Sequence, residues 1–349
     1  MKHKNHWFPV LFATLVAVPC MAQIEYNETD WGVHPMAYSR VGTAGWQFLK
    51  MPTNARTAAM AGIYSSVGYG DANSAFSNPA STADIKNWNV AFNQMNWVAD
   101  IQFQSFSLVK NLKSLGTVGV NFVFVDYGEM ARTINSETFD TQGNRLGVFP
   151  VISGLGTFSA SDMSIGISYA RQITNKLQVG GNLRYLEERL DDAKTSNYTL
   201  DIGTMYYTGL KTLRIAMLGK SFGPDAEFTK YDERIQVTPV RVKMPMLFAL
   251  GAAIDVLEKR DGSPHHMILA AEYLHPNDGT DKINIGTEYA FMDMFCLRAG
   301  YKFNYDEEGL TLGGGIRYSA MGVTFNIHYA YLDVGLFKSV NLFSVGLSL

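Results

Sequence analysis

Few side chains in this sequence could do chemistry together, and none converge on a catalytic set. The seven histidines are scattered, and the one adjacent pair, His265-His266, falls in a predicted turn. A metal centre needs several ligands at closing distance, so no metal is expected there. Asp191-Asp192 and Asp306-Glu307-Glu308 read as acidic loop tips, calcium ligands on one reading and a solvated surface on the other. Gly313-Gly314-Gly315 is rich enough in glycine for a phosphate loop, but it lies inside a predicted strand instead of between strand and helix. Of the two cysteines, Cys20 belongs to an amino-terminal leader and Cys296 to a predicted strand. One remaining thiol makes neither a disulfide nor a metal set. The chain is read as non-enzymatic, with no cofactor.

The other reactive groups are charges, and their meaning depends on the elements that carry them. From Trp88 onward the sequence alternates with period two. Ile283, Ile285, Thr287, Tyr289 and Phe291 share one face, while Asn284, Gly286, Glu288 and Ala290 share the other. The same holds for Leu310, Leu312, Gly314, Ile316 and Tyr318 against Thr311, Gly313, Gly315 and Arg317. Aliphatic and aromatic residues outward, with small and charged residues inward, is the pattern of a membrane β-barrel. Composition agrees. Of 349 residues 17% are charged, against about 25% in soluble domains, and 13% are aromatic. Beyond the amino terminus no apolar run is long enough for a membrane helix. A net charge of −3 without any basic cluster argues against nucleic acid.

The fold class expected is all-β: a transmembrane antiparallel barrel of about 14 strands, an even number as bacterial barrels require, with an N-terminal Gly/Ala-rich plug. Residues 1–22 read as a signal peptide, with Lys2 and Lys4, an apolar run from Trp7 to Val18, and a small-x-small site at Cys20-Met21-Ala22. Residues 23–41 form a polar tail, 42–87 the plug and 88–349 the barrel. Within the plug, Met51 to Ala61 suits one short helix, with Pro52 in its first turn and Thr53 or Asn54 near the cap. The two longest connections, Glu137 to Ser161 and Phe222 to Met244, both fall on one side of the barrel, and tight turns such as Ser319–Met321 fall on the other. Long outside and short inside is the asymmetry of outer-membrane barrels. Ser105-Phe106 interrupts the alternation, which implies a bulge that opens the wall or a local register adjustment.

On this layout Arg184, Glu272, Glu288, Arg298 and Arg317 point into the lumen, as do Asp201, Asp255, Lys302 and His328. Interleaved signs imply mutual pairing and anchoring of the plug. A selective solute pathway is the other reading. Arg56 and Asp71 of the plug are candidate partners for wall charges, and Asn78-Pro79 a turn between plug and first strand, or alternatively a gate. On the first long connection Leu146, Phe149, Ile152 and Leu155 are apolar amid Gly and Ser. They suit contact with a partner or lipid, or packing of loops over the barrel mouth.

The stretch GTAGWQFLKMPTNARTAAMAG, followed by DANSAFSNPA (Asp71 to Ala80), resembles the amino-terminal signature of the PorV/PorQ family, outer-membrane proteins related to FadL-type transporters. The resemblance continues more loosely through Phe158–Arg171 and Leu177–Leu186. It implies a plugged barrel in the outer membrane of a Gram-negative bacterium. It further implies a role in type IX protein secretion or surface attachment of cargo, with secreted cargo or secretion-machinery proteins held by the outer loops. The alternative function is passive transport of a hydrophobic small molecule, with that ligand and the outer-membrane lipids as partners.

Overall fold

The computed structural model describes residues 42–67, 70–226, 242–258, 263–337 and 339–349, without the side chains of residues 134, 135, 139 and 149–155. The expected leader and tail lie outside the described residues. Fourteen strands follow in chain order. They are β1 (Trp88–Asn96), β2 (Gln102–Asn111), β3 (Thr117–Phe139), β4 (Arg145–Gln172), β5 (Leu177–Leu190), β6 (Ala193–Tyr207) and β7 (Arg214–Phe222). The second half holds β8 (Leu247–Leu257), β9 (His265–Pro276), β10 (Lys282–Phe291), β11 (Phe295–Phe303), β12 (Leu310–Ala320), β13 (Val323–Asp333) and β14 (Ser339–Ser348). Each pairs antiparallel with its sequence neighbours, and β1 pairs with β14 from Asn89↔Ser348 to Asn96↔Asn341. That last ladder closes the barrel. Closure satisfies the backbone groups that an open edge would leave facing lipid.

The pleat decides which side chains face where. Phe92, Ile167, Leu183, Leu297, Ile316 and Phe343 stand exposed on the outer face, while Asn93, Ser168, Asn182, Arg298 and Ser344 beside them are buried inside. Taking a side chain as large as Leu or Phe out of water contributes about 1.5–3 kcal/mol, so this apolar exterior belongs in lipid. Among the described residues no helix is long and apolar enough to cross a membrane; the strands are the crossing elements.

Residues 44–67 and 70–85 run the length of the lumen. Ala44 bridges to Lys243 at the end of the long connections, whereas Asp84 meets Gln178 and Tyr207 at the end of the short turns. In between come a helix at Ala55–Ala59 and 3-10 turns at Gln47–Lys50, Ala72–Ala75 and Pro79–Asp84. The helix is shorter than the expected Met51–Ala61. It starts where the Asn54 side chain accepts the Thr57 N–H at 3.0 Å, a cap that satisfies one of the free first-turn donors. Small residues are needed where plug meets wall. A Cβ on Gly313 would sit 2.4 Å from that of Ala59, and one on Gly180 would sit 2.5 Å from the Ala80 nitrogen.

Two expectations need correction. The stretch 137–161 is not a loop: β3 and β4 continue past the barrel wall as a two-stranded ribbon, paired from Glu129↔Ser159 to Phe139↔Arg145, with one register shift just before it and two along it. A ribbon standing clear of both lipid and lumen has no buried face, so its sequence carries no period-two signal. Leu146 is exposed on it, and the side chains of Phe149, Ile152 and Leu155 lie outside those described. Nor is there a bulge at Ser105-Phe106, because β2 keeps register with both neighbours throughout. Phe103 simply faces inward, into an apolar cluster with Phe76 of the plug, and Phe106 faces lipid. The wall irregularities lie elsewhere, notably where Lys220 and Ser221 both stand opposite Asp201 between the Leu200↔Phe222 and Ile202↔Gly219 pairs. Most of the second long connection, 227–241, lies outside the described residues.

Candidate functional site

The lumen holds its charges in fixed pairs. Arg56 extends from the plug helix and grips Glu288 of β10 through one edge of its guanidinium, Nε to Oε2 at 2.8 Å and Nη2 to Oε1 at 2.9 Å. Arg298 of β11 donates to the same carboxylate at 2.5 Å and lies 3.3 Å from Nδ1 of His328. Two cations on one buried carboxylate bind plug and wall as a unit, since buried charges tolerate the lumen only when paired. Glu272 of β9 accepts the Tyr64 and Ser65 backbone N–H groups at 3.1 and 2.6 Å, together with the Ser65 hydroxyl. Arg184 of β5 donates to Asp201 of β6 at 2.8 Å, a pair within the wall. Arg214 of β7 reaches the Ser66 carbonyl at 3.0 Å and Asp255 at 3.0 Å.

The remaining residues singled out in the sequence take other places. Among the described residues Asp71 meets no wall charge in a hydrogen bond. Its carboxylate accepts the Ser74 N–H at 3.1 Å and caps the turn Ala72–Ala75, and burial pushes it above the usual carboxylate range against the pull of Arg56. Asn78 caps the turn that begins at Pro79, and its amide also donates to the Ser65 and Thr204 carbonyls at 2.8 and 3.0 Å. Arg317 stays half-buried, donating to Asn326 at 3.0 Å in the lower vestibule. Among the described residues no cluster of His, Cys, Asp and Glu is arranged to hold a metal.

Among the described residues, open space lies at both ends of the plug. At the long-connection mouth a cavity of about 790 Å³ is lined by Phe48, Leu49, Met51, Trp97, Ile101 and Leu274 together with charged groups, among them Lys50, Lys220, Lys282, Lys302, Asp278 and Glu308. Three of these ammonium groups are already engaged. Lys50 pairs with Asp278 at 2.5 Å, Lys302 with Glu308 at 2.7 Å, and Lys220 donates to the Phe76 carbonyl at 2.9 Å. The lining is thus mixed, an apolar patch among polar groups that are largely engaged with one another. At the short-turn end a polar vestibule of about 650 Å³ includes Asp71, Lys86, Arg317 and Asn326. Arg56 and His328 also line it, so it reaches the buried ion layer.

One serine-nucleophile pattern is present in a chain read as holding no catalytic set. Gly219-Lys220-Ser221-Phe222-Gly223 matches the G-x-S-x-G nucleophile pattern, and Ser221 carries the left-handed φ of 60° typical of a strained position. The context differs from a nucleophile elbow, which lies between strand and helix beside a histidine. Ser221 sits in the β7 bulge, where its N–H donates to Asp201 at 2.8 Å. The strain serves the wall, turning Lys220 and Ser221 inward together.

No protein-family model and no curated protein matches the sequence. Solved structures do. The P. putida toluene transporter TodX aligns with a TM-score of 0.53 at 13% identity, over 85% of this chain and 96% of its own. The Ralstonia pickettii toluene transporter TbuX aligns with a TM-score of 0.51 at 12% identity, over 84% and 96%. A TodX variant described as a monoaromatic hydrocarbon channel gives 0.54 at 15% identity, over 84% and 97%. Identity this low speaks to fold alone: the chain is a closed fourteen-stranded antiparallel barrel similar in fold to these transporters.

Proposed function

We propose that this protein is a non-enzymatic outer-membrane channel for hydrophobic small molecules, entered at the long-connection mouth. The cavity of about 790 Å³ carries the reading. Its volume is that of small-molecule sites, and the apolar patch of Phe48, Leu49, Met51, Trp97, Ile101 and Leu274 within its otherwise polar lining is where a hydrophobic ligand would sit. Below it the plug fills the lumen, so the offered exit is sideways through the wall, and the bulge at Ser221 borders the cavity. The fold shared with two toluene transporters supports the same reading. Outer-membrane lipids would surround the barrel, after removal of a leader cleaved near Ala22. Titrating the detergent-solubilised barrel with toluene while following Trp97 fluorescence tests this directly. Saturable quenching that weakens at least severalfold in Leu274→Asp is expected; linear, non-saturating quenching in both proteins would overturn it.

A second reading keeps the type IX secretion role implied by the PorV/PorQ resemblance. It rests on the signature between Gly42 and Ala80 and on the β3–β4 ribbon, which displays Leu146 and Val148 to solvent. Purification from outer membranes distinguishes the two. Protein partners lost on deletion of 140–156 would favour secretion, and their absence alongside toluene binding leaves the channel.

A further inference from the structure

The vestibule at the short-turn end has one wall made of hydrogen-bond donors. Arg317 of β12 and Asn326 of β13 stand directly opposite each other, and His328 follows two residues along β13 on the same inward face, opposite Gly315. All three side chains line the cavity of about 650 Å³. Arg317 donates its Nε–H to Oδ1 of Asn326 at 3.0 Å. That bond uses the amide's acceptor and leaves its NH2 group as a donor. Among the described residues neither this NH2 nor the terminal nitrogens of Arg317 have a partner.

His328 supplies a third donor. Its Nδ1 lies 3.3 Å from Nη1 of Arg298. A guanidinium only donates, so Nδ1 is the acceptor and the ring proton sits on Nε2. His328 is 8% exposed and lines the vestibule, whereas Arg298 is 3% exposed and does not. The ring thus backs onto Arg298 and turns its Nε2 edge to the cavity, where among the described residues that N–H has no partner. Gly315 leaves room for this arrangement, since a Cβ there would collide with Nδ1. The nearby charges do not cancel. Glu288 serves both Arg56 and Arg298, so that buried trio carries one positive charge in excess. Lys86, exposed at the vestibule, makes no ion pair among the described residues. Two carboxylates share the lining, Asp71 and Asp293, and both are already engaged.

Donors gathered at an open space with positive charge in excess suit an anion, whose hydrogen bonds are charge-assisted and short. Two residues along a strand span roughly 7 Å, which an oxyanion fills with a hydrogen bond of about 2.9 Å on either side. We propose that the vestibule is a binding site for a phosphate-sized oxyanion from the periplasm, held by Arg317, the Asn326 NH2 and Nε2–H of His328, with Lys86 drawing it in. Arg56 of the plug lines the same space, so an occupied site ties plug to wall. The vestibule and the mouth cavity share no lining residue, and this site stands whatever the mouth cavity binds.

The test is calorimetric titration of the full detergent-solubilised barrel with inorganic phosphate, in chloride buffer at constant ionic strength. Saturable binding to one site is expected, and the thermal midpoint should rise as phosphate is added. Asn326→Asp keeps the acceptor that Arg317 uses and replaces the NH2 donors with a negative charge. It should fold, as judged by heat-modifiable migration, and bind phosphate at least tenfold more weakly. Lys86→Gln should weaken binding severalfold, by a margin that shrinks as salt is added. Toluene titration should be unchanged in both variants. Absence of saturable phosphate binding would overturn the proposal, as would wild-type binding in folded Asn326→Asp. Arg132→Gln, on the β3–β4 ribbon, is the control: a loss there equal to that in Asn326→Asp would mark the heat as general charge screening and overturn the site as well.

Discussion

At the scale of single residues, Glu288 is where the plug is most dependent on one side chain. Its carboxylate neutralises Arg56 and Arg298 together, so Glu288→Gln leaves two buried guanidinium groups facing each other. Breaking a buried ion pair from one side costs about 3–5 kcal/mol, and Glu288→Gln should lower the thermal midpoint of the detergent-solubilised barrel accordingly. Adding Arg56→Met should recover part of that loss in a double-mutant cycle, because one uncompensated charge is removed with it. The glycines of β12 give a sharper contrast. A Cβ on Gly313 would meet Ala59 at 2.4 Å, whereas one on Gly314, on the lipid face, meets nothing nearer than the Cys296 carbonyl at 3.6 Å. Gly313→Val should therefore cost about 1–3 kcal/mol through overpacking, and Gly314→Val should be nearly neutral in the same melt. Inward charges such as Glu288 and Arg298 are legible in the sequence, because the alternation of β10 and β11 tells in from out. Their partners are not. Arg56 meets Glu288 across 232 positions, and which plug residue reaches which rung depends on how the closed barrel folds around it.

At the scale of elements, the β3–β4 ribbon depends on a five-residue turn, Asp140–Asn144. Asp140 accepts the Gln142 and Asn144 N–H groups at 2.8 and 2.7 Å, and the Asn144 amide donates to its other oxygen at 2.9 Å. The Asn144 side chain, and then its N–H, hold this exposed carboxyl below the usual carboxylate range. A depressed folded value means the ordering is complete above the unfolded pKa and is lost as pH falls through the depressed one. A spin label at Thr141→Cys should keep constant mobility from neutral pH down to the ordinary carboxylate range and loosen only below it. With Asp140→Ala the label should be mobile at every pH. Unaltered mobility in that variant would show that the turn is held by Gly143, at φ 84°, and the ladder alone. Elements were legible to the degree that lipid and lumen write different residues on their two faces. Strands β10 to β14 meet that condition over nearly their whole length. The ribbon, which touches neither, hides its strand character, and Phe103 misleads because the plug offers an apolar partner that a water-filled lumen would not.

At the scale of the whole molecule, closure by β1 and β14 fixes two unlike ends, and the plug joins them. Its first described residues, Gly42 to Lys50, lie with the long connections near Lys243 and Asp278; its last, Asp84 to Lys86, lie with the short turns near Gln178 and Tyr207. Outer-membrane barrels carry long connections outside and short turns in the periplasm, so the segment before β1 must cross the full height of the barrel. This makes an unusual labelling pattern for one short stretch of chain. Thr43 and Lys86 are both exposed, and in intact cells Thr43→Cys should react with a membrane-impermeant maleimide while Lys86→Cys should not, until the outer membrane is permeabilised. Gln142→Cys on the ribbon turn should follow Thr43, and Met321→Cys, on the fully exposed turn between β12 and β13, should follow Lys86. Cys296, buried in the wall, is replaced by alanine throughout. Agreement of each pair fixes the orientation of the barrel and the direction of the plug at once. If Thr43 and Lys86 label from the same side while the two turns still differ, the plug doubles back, and the mouth cavity loses the Phe48–Met51 wall on which hydrophobic binding there depends.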